Sequence, residues 1–237
     1  MARISRRELK KDEFASEVSK TYEFVQQRRE TLLRYGLAAA VLSVVGLGIF
    51  FFVQYRKSRA GEELAHAMRA FYGPTKLEGS VFEEGMAFAN DKEKYTQAEK
   101  EFAAVADKYS WLQQGKLALY YLGLTKNQLG KVEEAIRELR AVEQKPDPHL
   151  SGLARFALAE IYAQTGRLAE AEKLYRELAA QPGDAISREA ALLALADQVR
   201  ASKPAEAEKI YQELKKQGAN KPAGEIADRR LAELKKK

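Results

Sequence analysis

Residues 115–147 read GKLALYYLGLTKNQLGKVEEAIRELRAVEQKPD, and the pattern returns over 153–184 as LARFALAEIYAQTGRLAEAEKLYRELAAQPGD. Leu122-Gly123 falls on Leu158-Ala159, and Leu129-Gly130 on Thr165-Gly166. Ala135 falls on Ala171, Leu139 on Tyr175 and Pro146 on Pro182, each time at an offset of 36 residues. A third copy keeps the same offset, with Ala207, Tyr211 and Leu214 matching Ala171, Tyr175 and Leu178. Upstream, Ala98, Phe102 and Val105 precede Ala135, Leu139 and Val142 by 37. A fixed period of this length marks stacked supersecondary units.

Each unit reads as two helices joined by a turn. Small residues at the crossing, Gly123 and Ala135 or Ala159 and Ala171, let two backbones approach closely. Gly130 and Gly166 supply the left-handed conformation that ends a helix, and Pro146 and Pro182 stop the second helix. The large residues fill the seam between neighbouring pairs. No pair buries its own apolar face, so several must stack.

This spacing resembles the tetratricopeptide repeat, whose usual length is about 34 residues. The resemblance covers 92–218 and is weakest in the third copy, where Ala201-Ser202-Lys203-Pro204 replaces the glycine turn. A last helix over 223–236, apolar at Ile226, Ala227, Leu231 and Leu234, reads as the cap that keeps a stack soluble.

Ahead of the repeats, residues 36–53 (GLAAAVLSVVGLGIFFFV) carry no charge. As a helix they span roughly 27 Å, close to the hydrocarbon thickness of a bilayer. Tyr35 and Tyr55 bracket the run, with Arg34 on one side and Arg56, Lys57 and Arg59 on the other. A cleaved leader would need a short basic start and a small-residue cleavage site. Here 35 residues come first and Gln54-Tyr55-Arg56-Lys57 follows, so the run reads as an uncleaved anchor. The fold class expected is all-α: an N-terminal transmembrane helix followed by an α-solenoid of tetratricopeptide-type helix pairs. The expected divisions are a basic amphipathic head at 1–35, the span at 36–55 and a connecting helix with an insertion at 56–91. Repeats follow at 92–220 and a capping helix at 221–237.

The head patterns as a helix over 12–33, with Phe14, Val18, Tyr22 and Val25 on one stripe. It reads either as an interfacial helix or as a docking helix for a partner in the same membrane. In the connecting segment, Leu64, Ala67, Met68 and Phe71 form another stripe, which Gly73-Pro74 ends. That stretch is a candidate first helix for the upstream half-copy. Close to the span the basic residues balance, Lys20, Arg28, Arg29 and Arg34 against Arg56, Lys57, Arg59 and Arg69. The farther Arg3, Arg6, Arg7, Lys10 and Lys11 tip the head to the inside and the repeats to the outside.

Composition narrows function. The net charge of +6 is dispersed, which suits anionic headgroups better than a nucleic acid, whose binders show a clustered basic face. There is no cysteine, so disulfides, thiolate chemistry and a lipidated-cysteine anchor are excluded. His66 and His149 stand far apart with no ligand motif. Gly46-Leu47-Gly48 lies within the span, where glycines serve helix packing. Pairs such as Glu172-Lys173 and Glu208-Lys209 read as solvated helix faces. Neither enzymatic activity nor a cofactor is expected.

Stacked helix pairs present a surface lined by their first helices. The candidate partner-binding groove is Leu117, Tyr120, Leu124, Phe156, Glu160 and Gln164. Tetratricopeptide domains that hold chaperone C-termini use a Lys, Asn and Arg clamp; Tyr120, Leu124, Phe156 and Glu160 stand at the matching places, so that specificity does not carry over. An apolar, aromatic groove suits an extended or helical segment of another protein. The alternative is that Tyr120 and Phe156 pack against residues 73–91 and leave nothing open.

The layout as a whole, DEFASEVSKTYEFVQQRRETLLRYG in the head, one span and pairs ending in GEIADRRLAELK, resembles the YfgM-like family of bacterial inner-membrane proteins. The resemblance implies a single-pass protein with periplasmic repeats, associated with the protein-export translocon and its membrane-bound chaperones. Two functions are expected on these grounds. One is a membrane-tethered, non-enzymatic scaffold or chaperone cofactor. The other is a structural subunit that self-associates, to which Gly36/Ala40 and Ala39/Ser43 give a small-residue hint.

Overall fold

A backbone in lipid must satisfy its own hydrogen bonds, and for one short apolar run a helix is the way to do so. Residues 36–53 lie within a single long helix, α1, Arg29–Tyr72. The computed structural model describes residues 28–76, 87–218 and 222–234. The stripe read in the head, and residues 77–86 of the insertion, fall outside them.

The chain divides into two units, Met1–Arg56 and Lys57–Lys237. In the first, the described helix is bare: Leu37, Leu42, Val44 and Phe51 are exposed. A soluble core helix would be covered, whereas none of this apolar window is. It is the one helix among the described residues long and apolar enough to cross a membrane. Its one polar residue is satisfied internally, Ser43 Oγ donating to the Ala39 carbonyl at 2.8 Å.

The second unit takes residues 57–72 of α1 and the rest of the helices: α2 Asp91–Lys108, α3 Gln113–Gln128, α4 Val132–Glu143, α5 Pro148–Gln164, α6 Leu168–Ala180, α7 Arg188–Val199, α8 Pro204–Gln217 and α9 Pro222–Leu234. From α2 onward each packs on the next, and α3 also meets α5 while α7 meets α9. First helices of neighbouring pairs therefore touch, as in a stack of helical pairs. The repeat columns are the core. Ala98, Ala135, Ala171 and Ala207 are each fully buried, and so are Phe102, Leu139 and Tyr211 from the large column, with Tyr175 at 3% exposure. Residues 57–72 do pair with α2: Ala60, Leu64 and Ala67 join Ala98, Phe102 and Val105 in one cluster.

Local chemistry places the helix ends. Asn90, Asp147 and Ser187 cap α2, α5 and α7 through side-chain oxygens that accept N–H bonds from Glu93, Leu150 and Ala190. Gly130 and Gly166 adopt φ of 76° and 77°. The residue after each closes the turn, Lys131 N–H donating to Lys126 O at 2.9 Å and Arg167 N–H to Tyr162 O at 2.8 Å. The third copy dispenses with this: Lys203 N–H donates to Val199 O at 2.7 Å, four residues back, and no left-handed residue is required.

The pairs are also tied by charge. Lys131, Arg167 and Lys203 recur at the 36-residue period, and each reaches the second helix of the preceding pair: Lys131 to Glu99 at 2.8 Å, Arg167 to Glu133 at 3.8 Å and Lys203 to Glu172 at 2.7 Å. Glu172 therefore corrects the reading of Glu172-Lys173 as a merely solvated pair. It bridges Arg176 and Lys203, and the Lys203 ammonium, ahead of the partial burial that opposes it, holds its carboxyl below the ordinary value.

The crossing of α3 and α4 rests on Gly123. A Cβ there would stand 2.7 Å from Leu139 Cγ and 3.4 Å from the Ala135 carbonyl. Gly123→Leu should lower stability by about 1–3 kcal/mol through overpacking, seen as a lower urea midpoint by circular dichroism. An unchanged midpoint would contradict this crossing.

Candidate functional site

The first helices α3 and α5 carry equivalent residues at the 36-residue offset, Tyr120 with Phe156 and Leu124 with Glu160. On α5, Phe156 and Glu160 are four apart and share a face. Leu117, Tyr120, Leu124 and Phe156 are half-buried and lean on the core, while Glu160 and Gln164 are exposed. Tyr120 stands on α3, which packs against α5, the helix of Phe156 and Glu160. Leu117 and Leu124 pack against the core beside Tyr120, and Gln164 ends α5 one turn beyond Glu160.

Tyr72 and Tyr121 add exposed or half-exposed rings near Tyr120, while Tyr175 lies in the core against Phe156. The Tyr175 ring, from α6, meets Phe156 edge-on at 5.7 Å. Tyr121 meets Tyr120 at 5.3 Å and stacks on Phe102 at 5.4 Å with an interplanar angle of 17°. The Tyr72 hydroxyl lies 3.2 Å from that of Tyr121, and Phe71 packs edge-on against Tyr72, Tyr95 and Tyr121. The aromatic side chains thus form two groups, one from the end of α1 across α2 to α3 and one, Phe156 with Tyr175, on the α5–α6 pair. The sequence showed Tyr175 only as a member of the core column. Nothing in the period marked Tyr72 or Tyr121, because both lie outside the repeat register.

The electrostatics single out Glu160. Burial pushes the Tyr120 phenol up to about 12, with further contributions from the Glu160 and Tyr72 charges. Burial, then Glu160, likewise raises Tyr175. Glu160 itself is raised by burial alone, although much of its side chain is open to solvent. Among the described residues it makes no hydrogen bond or ion pair.

A second concavity, about 700 Å³, lies between α1 and α2, bounded by His66, Arg69, Tyr72, Gly73, Phe88 and Glu101. His66 Nδ1 stands 2.7 Å from Glu101 Oε2, and Gln97 donates to the other oxygen at 2.5 Å. Its Phe88 wall is anchored by Lys76 N–H donating to Phe88 O at 2.9 Å and Phe88 N–H to Pro74 O at 3.0 Å. The described flanks of the insertion thus pack beside α1 and α2. Whether residues 77–86 reach Tyr120 and Phe156 lies outside the described residues. No group of three or more His, Asp or Glu among the described residues could hold a metal.

Residues 89–150 and 128–185 match the family described as Tetratricopeptide repeat. No curated protein matches the chain. The two matched stretches cover α2 to α6, and so include Tyr120, Phe156, Glu160 and Tyr175.

Proposed function

We propose that the protein is a membrane-anchored, non-enzymatic adaptor whose first-helix face captures partner proteins close to the bilayer. The observation that carries this is the aromatic surface of Tyr120 and Phe156 on tetratricopeptide-type pairs, a fold whose matched family serves protein–protein interaction. Anchoring supports it physically, because confinement raises the effective concentration of partners and lets weak contacts suffice. The apolar helix, long and apolar enough to cross a bilayer, supports that reading. The resemblance to the YfgM-like family and the basic head extend the reading. The span would sit in a bacterial inner membrane with the repeats on the periplasmic side, and the partners would be translocon or chaperone subunits.

Replacing Tyr120 and Phe156 with Ser tests the groove. Partner yield on purification in mild detergent after crosslinking should fall at least about tenfold, as expected when buried aromatic anchors are removed, with helix content by circular dichroism nearly unchanged. Loss of the fold would make both residues core and end the groove reading. Recovery of a homo-oligomer in place of other subunits would favour the self-associating structural subunit instead. Protease added to intact spheroplasts tests the orientation: digestion of the repeats places them outside, and protection places them inside.

A further inference from the structure

We propose that the surface between Tyr120 and Phe156 receives a cationic side chain, lysine or arginine, from an apolar partner segment, with Glu160 as its counter-charge. This deepens the reading of the face as a docking surface and rests on it. The argument is one of charge complementarity. Glu160 stands among aromatic side chains, four residues from Phe156 on α5 and near enough to Tyr120 and Tyr175 for its charge to act on both phenols. Several cations of the neighbouring helices are committed elsewhere: Lys126 to Glu134 and Glu138, Arg155 to Glu143, and Arg167 to Glu133 and Glu170. Glu160 itself makes no hydrogen bond or ion pair among the described residues, so the face presents an unpaired negative charge.

Physical chemistry then selects the occupant. A partly desolvated carboxylate attracts a cation more strongly than one in bulk water, and tyrosine and phenylalanine faces attract the same cation through their quadrupoles. An acidic segment would meet repulsion. A purely apolar segment would cover the carboxylate and leave it unpaired, which is costly. Lysine and arginine satisfy both demands, since the apolar stem can lie on the rings while the charged head reaches Glu160. The expected partner is thus an apolar segment carrying one basic residue. It differs in kind from the acidic termini that a Lys, Asn and Arg clamp would hold.

The test uses the full-length protein in neutral detergent micelles and fluorescein-labelled nonapeptides. The peptides share apolar flanks and differ at the centre, which is Lys, Arg, norleucine or Glu. Anisotropy should show the Lys and Arg peptides binding at least about tenfold more tightly than the norleucine peptide, with the Glu peptide weakest. Glu160→Gln should bring Lys, Arg and norleucine within about twofold of one another and leave norleucine affinity as it was. Its melting curve should be no lower than that of the wild type, because the carboxylate makes no hydrogen bond or ion pair among the described residues. Equal binding of Lys and norleucine by the wild type, or a Lys preference that survives Glu160→Gln, overturns the cation site and leaves the docking face standing. Failure of every peptide to bind, together with partner capture unaffected by the Tyr120 and Phe156 replacements, overturns both.

Discussion

Gly115→Ala should destabilise the repeat unit by about 3 kcal/mol or more, a large penalty for one methyl group. Gly115 is the third residue of α3, and a Cβ built on it would lie 2.0 Å from the Tyr109 carbonyl oxygen and 2.4 Å from the Tyr109 carbonyl carbon. Those are backbone atoms and cannot swing aside. The Tyr109 carbonyl also accepts the Leu112 N–H at 2.8 Å, and the Tyr109 side chain, almost fully buried, donates from its hydroxyl to Glu63 at 2.9 Å. Relief therefore requires α3 to move against α2, which pulls Tyr121 from its stack on Phe102. Gly61→Ala is the control. Gly61 is also helical, but nothing lies within 4 Å of its Cβ direction, so alanine there should gain up to about 1 kcal/mol from helix propensity. Urea melts of the two variants should shift in opposite directions. A Gly115→Ala melt equal to that of the wild type would show that the α2–α3 junction admits a methyl group and would end this account of it.

Gly115 also shows what a period can and cannot reveal. Ala135, Ala171 and Ala207 repeat every 36 residues and Gly123 falls on Ala159, so alignment exposes these small residues and their role follows from size alone. Gly115 does not repeat: the second pair has Ser151 at that offset. The same tight contact returns only at the far end, where a Cβ on Gly224 would lie 2.0 Å from the Gly218 carbonyl oxygen. The two interior positions at this offset, Ser151 and Ser187, carry side chains, so the need for glycine at the end junctions is a property of tertiary packing that no single copy encodes. The cations at 131, 167 and 203 were periodic and still escaped notice, because their partners on the preceding helix do not keep one spacing. Glu99 is 32 residues before Lys131, and Glu172 is 31 before Lys203.

The candidate surface divides along the same line. Tyr120, Phe156 and Glu160 were legible because first-helix positions follow from the repeat. That Glu160 has no partner among the described residues was not legible, since pairing depends on which cations neighbouring helices deliver. Tyr72 and Tyr121 met through the junction of α1 with α3, and that junction lies outside the register. The apolar helix was legible from its length and lack of charge, which are properties of the chain rather than of its packing.

Phe102→Ala should cost about 3–5 kcal/mol and should do so unevenly along the stack. Phe102 is fully buried, lies on Tyr121 at 5.4 Å and meets Phe71 edge-on at 6.1 Å. It therefore joins three elements at once: the end of α1, α2 and α3. Removing the ring leaves a cavity whose walls are Tyr121 and Phe71, both held by further aromatic contacts that resist collapse. The core has two clusters, one built from residues 60–122 and one from 135–231, sharing Leu117 and Leu119 at their boundary. In a stack where each pair touches chiefly its neighbours, a loss in one cluster need not reach the other. Hydrogen exchange should thus quicken by about a hundredfold or more in α2 and the start of α3, as 3 kcal/mol of local stability implies, while α7 and α8 keep their protection. Uniform loss of protection from α2 to α9 would mean that the unit melts as one body, and the two-cluster description would fail.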